Sequence, residues 1–129
     1  MNEPVEILTL IASEEGTYVI DDIEFLDIND SVVTPNADTV TWCLCDKNKN
    51  IINSREDQAL VSAASMTVTL SGDDLAISGT EDKIFIRSGF MIKQYERHLA
   101  VRGGVNSTLG NDLPVTKEFI FNIENIVCI

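Results

Sequence analysis

The 129-residue sequence has little of what catalysis or nucleic-acid binding requires. It contains one histidine and three cysteines, and its first 46 residues include neither lysine nor arginine. Proteins bind nucleic acids by displacing phosphate counterions with lysine and arginine, so this shortage argues against a nucleic-acid partner. No apolar run reaches the roughly 18 residues that predict a membrane-spanning helix. We therefore expect no nucleic-acid partner and no membrane partner.

The cysteine pattern predicts free thiols. The number of cysteines is odd, with Cys43, Cys45 and Cys128 as the three. The acidic N-terminus does not resemble a secretory signal. Cys43 and Cys45 lie two residues apart on one predicted strand, about 6.5–7 Å from each other, which is too far for an unstrained disulfide. We expect a soluble protein made in the reducing cytoplasm.

The net charge of −12 is concentrated at one end of the chain. Residues 1–46 carry eleven acidic residues and no base, whereas the other 83 residues carry ten acids and nine bases. The negative electrostatic potential of such an acidic segment favours a basic partner or divalent cations. The simpler interpretation is a solubilising surface.

Alternation of apolar and polar residues predicts an all-β protein. Short runs rich in Val, Ile, Thr and Phe are separated by turn residues about every ten positions, and helical periodicity is nearly absent. The length fits one domain over residues 1–129. We predict an immunoglobulin-like antiparallel β-sandwich of seven or eight strands, with a small β-barrel as the alternative.

The clearest predicted strand is 39–45, which carries the only tryptophan. Alternate residues of a strand share one face. The side chains on the tryptophan face, together with two phenylalanines of the last strand, are the predicted core anchor: Val40, Trp42, Leu44, Phe119 and Phe121.

Residues 84–93 predict a hairpin whose turn is Ser88–Gly89. Both of its faces are apolar, so it belongs either to the core or to a surface that another subunit covers. The candidate interface residues are Ile84, Ile86, Phe90 and Ile92. The first run, 5–12, is also apolar on both faces, and we expect it to be buried from both sides.

Catalytic and metal-binding patterns are weak. His98 is predicted on the solvent side of its strand, and the charges flanking Cys43 and Cys45 are acidic, which disfavours a thiolate. We therefore predict no enzyme activity, no cofactor and no metal. The one calcium candidate is the turn that contains Asp27, Asn29 and Asp30. It is similar to the Asp-x-Asn-Asp linker of cadherin repeats but lacks their other acidic motifs, and the alternative is a turn that caps its own backbone.

Several segments resemble short immunoglobulin-like proteins encoded among the structural genes of tailed bacteriophages and prophages. The most specific are 40–46 (VTWCLCD) and 65–75 (SMTVTLSGDDL), supported by 25–35 (FLDINDSVVTP), 50–54 (NIINS), 99–107 (LAVRGGVNS) and 119–127 (FIFNIENIV). The resemblance covers about two thirds of the chain. It implies a virion- or tail-associated component rather than an enzyme.

The favoured hypothesis is thus a non-enzymatic structural or accessory module that acts through protein–protein contacts or self-association. Its apolar strand edges, 84–92, 7–11 or 126–129, would make these contacts. If the resemblance holds, the protein is incorporated into a virion. The alternatives are an immunoglobulin-like module that binds carbohydrate or calcium and, more remotely, an acidic DNA-mimic inhibitor.

Overall fold

The computed structural model describes residues 5–27, 29–77 and 83–127. Within these ranges the chain is all-β, as predicted, apart from the single 3-10 turn Gly72–Leu75. The strands are β1 (Val5–Ile7), β2 (Ala12–Ser13), β3 (Thr17–Ile23), β4 (Phe25–Leu26), β5 (Val32–Val33), β6 (Thr41–Cys45), β7 (Gln58–Ala59), β8 (Met66–Ser71), β9 (Lys83–Arg87), β10 (Phe90–Ser107) and β11 (Gly110–Val127).

The strands form one large sheet and two small ones. The large sheet has the order β1-β11-β10-β6-β7, with β2 also paired to β11 and β9 to β10. β3 pairs with β8, and β4 pairs with β5. β1 and β2 run parallel to β11, so the prediction of purely antiparallel sheets is wrong for the N-terminal segment. A parallel pair needs a long connection, which the intervening chain provides.

β10 and β11 are each 18 residues long, about 60 Å if fully extended. Their pairing runs from Met91 opposite Val127 to Val105 opposite Leu113. The sequence predicts a hairpin over 84–93, whereas β10 continues beyond it through 94–97 to Ser107. Alternation persists there because Tyr95 and Arg97 are buried on the same side as Leu99.

The main core lies between the large sheet and the β3–β8 sheet. The Tyr18 ring stacks on Phe121 with centroids 4.6 Å apart, joining the two layers. All five predicted core-anchor residues are buried in this cluster: Val40, Trp42, Leu44, Phe119 and Phe121. The Arg55 guanidinium lies 5.5 Å from the centroid of the Trp42 ring. The arrangement is consistent with a β-sandwich.

Gly103 permits a close approach inside this fold. A Cβ atom at Gly103 would lie 3.2 Å from Pro35 Cβ and 3.3 Å from Phe25 Cε2. Pairing with β11 is regular at Gly103 and Gly104, and the register shifts only between Val105 and Ser107. The glycine therefore serves packing rather than a bulge.

The N-terminal run differs from its prediction of burial on both sides. Only 5–7 and 12–13 are strands, and Ile7, Leu10 and Ile11 are exposed. The physical reason is position: β1 is the edge of the large sheet. Edge strands can expose side chains that central strands bury.

Replacing Leu99 with alanine tests the packing of the core. Leu99 has no exposed surface and lies in register between Leu44 and Phe119. We expect Leu99→Ala to lower the free energy of unfolding by about 2–5 kcal/mol, because the truncation leaves a cavity. Urea denaturation measures this loss. Val61→Ala, in an exposed loop, is the control and should cost about 0.5 kcal/mol or less.

Candidate interaction surfaces

The arm, defined as residues 83–93, extends the large sheet at one end. β9 turns into β10 through Ser88 and Gly89, both with left-handed φ angles (51° and 83°), as the predicted hairpin requires. On its other side this part of β10 pairs with the C-terminal end of β11. Within the described ranges, β9 has β10 as its single strand neighbour, so its outer edge is open.

One face of the arm continues the core side of the large sheet. Met91 lies on the same face of β10 as the buried Tyr95, because alternate residues of a strand share a face. Ile86 is directly opposite Met91, so Ile86 and its alternate neighbour Ile84 lie on this face as well. Ile84 is 49 % exposed and Ile86 is 68 % exposed. No residue of the arm belongs to the buried core cluster among the side chains described. The face has the composition of a core but lies in solvent.

The opposite face of the arm is partly covered. The Arg87 guanidinium binds Glu124 through two contacts of 2.9 and 3.1 Å and lies 5.1 Å from the Phe85 ring. This hydrogen bonding lowers the pKa of Glu124 and keeps it ionised. Phe90 is 51 % exposed, but Ile92 is only 2 % exposed and therefore does not belong to the exposed set that the sequence suggested. Ile92 lies between Phe85 and the backbone of β11.

A groove of about 470 Å³ lies between β1 and β3, far from the arm. Its apolar lining includes Leu10, which is 71 % exposed, and Val19, which is 51 % exposed. Its charged lining consists of four acids and one base, namely Glu6, Asp21, Asp22, Glu24 and Lys117. Much of the N-terminal acidity is thus concentrated around an apolar floor.

A bulge in β3 presents two of these carboxylates. The pairing with β8 shifts register between Ile20 and Ile23, and Asp22 has a left-handed φ of 52°. Asp21 and Asp22 are exposed there. Sequence reasoning found the acidic third of the chain but missed the groove. The sequence feature that could have indicated the groove is the adjacent pair Asp21–Asp22, which interrupts the alternation of apolar and polar residues in β3.

His98 lies in an ion cluster on the outer face of the large sheet. Its Nδ1 is 2.7 Å from Glu118 Oε1, its Nε2 is 3.1 Å from Glu96 Oε2, and Lys49 Nζ is 3.4 Å from Glu118. The side chain lies on the predicted side of the strand, opposite Leu99 and Val101, but it is largely buried there rather than solvent-facing, because the two glutamates contact the ring. Burial raises the pKa of Glu118, but hydrogen bonds from His98 and attraction to Lys49 outweigh it and lower the pKa overall. Both ring nitrogens are engaged, so the cluster links strands rather than presenting a free base.

The two described cysteines lack the setting of a nucleophile. Cys45 is opposite His98 in register, yet its Sγ is 3.8 Å from the backbone oxygen of His98. Burial raises the pKa of Cys45, which favours the thiol. Cys43 is half-buried, and its Sγ accepts a hydrogen bond from the Asp57 backbone N–H at 3.5 Å. Cys128 lies outside the described residues.

The calcium candidate is a self-capped turn. Asp27 Oδ1 accepts hydrogen bonds from the backbone N–H groups of Asn29 and Ser31, at 2.8 and 3.0 Å, and the Asp30 N–H bonds to the Asp27 carbonyl. One carboxylate oxygen is therefore committed to the backbone. Across the described part of the chain, no group of three or more His, Cys, Asp or Glu residues is arranged to hold a metal.

A buried ion pair fixes the loop after β6. The fully buried Asp74 accepts hydrogen bonds from Arg55 Nε at 2.7 Å, Asn53 Nδ2 at 2.9 Å and the Ser71 N–H at 3.1 Å. Burial raises the pKa of Asp74, but these bonds outweigh it, so the pKa lies below its ordinary value. Arg55 in turn covers Trp42. The pair therefore ties a surface loop to the core.

Replacing Asp74 with asparagine tests the contribution of the Asp74–Arg55 ion pair to stability. Asp74→Asn removes the charge, and we expect a loss of roughly 2–3 kcal/mol in the free energy of unfolding at pH 7. Because the folded pKa is depressed, the stabilisation is complete above the unfolded value of about 3.9 and is lost as the pH falls through the folded value. The difference between wild type and variant should therefore shrink in acid. Asp73→Asn, at the exposed neighbouring carboxylate, is the control, and an equal loss there would contradict this role.

Comparisons with protein families, curated proteins and solved structures gave no match. Within the described residues, no helix is long and apolar enough to cross a membrane.

Proposed function

We propose that this chain is a non-enzymatic structural or accessory module with an immunoglobulin-like fold, which acts through protein–protein contacts made by the arm. The observation that carries the proposal is the exposure of Ile84 and Ile86 on a sheet face that elsewhere forms the core. We further propose that the assembly it joins is the particle of a tailed phage or prophage.

The energetics of the arm support a contact role. Burying an isoleucine side chain contributes about 1.5–3 kcal/mol, so covering Ile84 and Ile86, which share one face of the arm, would provide a substantial part of a binding free energy. Contiguous apolar patches on a folded surface mark interaction sites more often than scattered ones do. The turn and the Arg87–Glu124 pair give the arm a defined shape, which limits the entropy lost on binding.

The chemistry of the polar clusters supports the absence of catalysis. His98 has a carboxylate at each ring nitrogen, and Cys45 favours its thiol form. General-base or nucleophilic catalysis needs one of these groups to face a substrate. A structural role accounts for the contacts of both His98 and Cys45 without further assumptions.

The phage assignment rests on the sequence resemblance. Its two most specific segments include β6, with Trp42 at its centre, and β8 with the 3-10 turn that follows. These are elements of the core and of the Asp74 pair, so they support an immunoglobulin-like fold. The step to a virion component comes from the resemblance alone.

Co-sedimentation with particles tests the proposal. Particles from cells that carry the gene in its native neighbourhood would be banded on a density gradient and probed with an antibody against this chain. We expect the chain in the particle band, and we expect Ile86→Asp to move most of it to the soluble fraction. Val61→Asp places the same charge at an exposed loop valine and should leave the chain with the particles. Recovery of the wild type only in the soluble fraction would refute the proposal.

A further inference from the structure

We infer that the arm of one copy docks into the acidic groove of a second copy, so that the protein assembles head to tail. The inference rests on the proposed function, because it names the partner of the same contact surface. The donor is the arm, and the acceptor is the groove between β1 and β3.

The two surfaces are complementary in charge and in polarity. Residues 83–93 contain three bases (Lys83, Arg87 and Lys93) and no acid, and Arg87 is paired with Glu124. The groove has four acids against one base. Each surface also exposes apolar side chains: Ile84 and Ile86 on the arm, and Leu10 and Val19 in the groove. Lys93 is opposite Ile84 and shares its face of the arm, so the apolar contact would be flanked by this base on one side and by the acids of the groove on the other, as in a specific interface.

The arm cannot fill the groove of its own molecule. Both surfaces are attached to β11: Glu6 is opposite Phe119, whereas Met91 is opposite Val127. Eight residues of extended strand separate these points, a distance of about 26 Å. Because β11 is paired at both points and holds the two surfaces apart, the contact has to form between copies.

A symmetric contact between two arms is disfavoured. The antiparallel register that pairs all five residues of β9 with a second β9 places position 83 opposite position 87 of the other copy, at both ends. Both positions hold bases, the segment 83–93 contains no acid, and Glu124 is already paired with Arg87, so a second arm offers no opposite charge. The acidic groove offers the arm the opposite charge, so we favour the groove over a second arm.

Head-to-tail contacts leave one free arm and one free groove on every open assembly. Such contacts close into rings or continue as filaments, and they do not stop at the dimer. Because exposed charges contribute, association should weaken as salt is raised.

Complementation between two variants tests the inference by sedimentation velocity over a concentration series. Wild type should form species larger than a dimer. Ile86→Asp removes the donor and Asp21→Lys removes the acceptor, and each variant alone should weaken association by about tenfold or more. An equimolar mixture should then form dimers, because each variant keeps one intact surface. Glu56→Lys reverses an exposed charge outside the groove and should associate like wild type.

Several outcomes would overturn the inference. A wild type that stays monomeric at all concentrations contradicts self-docking, while particle co-sedimentation judges the arm's proposed function independently. If Asp21→Lys associates like wild type, the groove is not the acceptor; if the mixture forms no dimers, the contact is not head to tail. Asp21→Asn, which removes the charge without reversing it, should give an intermediate effect, and circular dichroism of all variants separates lost association from lost folding.

Discussion

The pairing of β10 with β11 is the constraint on which the rest of the structure depends. It fixes which side chains of two 18-residue strands share a face, and so it aligns Leu99 with Phe119 in the core. Where the β3–β8 sheet packs on this face, the face is buried. Beyond Tyr95 the same face continues without such cover, and there Ile84 and Ile86 lie in solvent. The core and the proposed contact surface are therefore two parts of one apolar face.

Charge is distributed along the same axis. Four of the eleven acids of residues 1–46 line the groove beside β1, while the arm at the other end of β11 contains three bases, one of them paired with Glu124. Inside the domain, the buried Asp74 is paired with Arg55 instead. This pair stabilises the fold, whereas the exposed acids around the groove attract basic groups of other molecules.

Local patterns predicted the parts of the fold that local physics determines. The alternation around Trp42 and the turn at Ser88–Gly89 both follow from neighbours in sequence. The continuity of β10 through 94–97 could not be predicted in this way, because burial of a charged residue such as Arg97 depends on partners that are distant in sequence. The exposure of Leu10 was missed for the same reason: whether an apolar strand is covered depends on the sheet edge it occupies.

Amide hydrogen exchange, measured at low and at high protein concentration, tests the central claim most directly. If the bare end of the apolar face is a contact surface for the groove, both 83–93 and 5–24 should gain protection together as concentration rises, and lose it together in high salt. The core strand β6 should not change. Protection that is independent of concentration in both segments, or a gain confined to the arm, would contradict the claim.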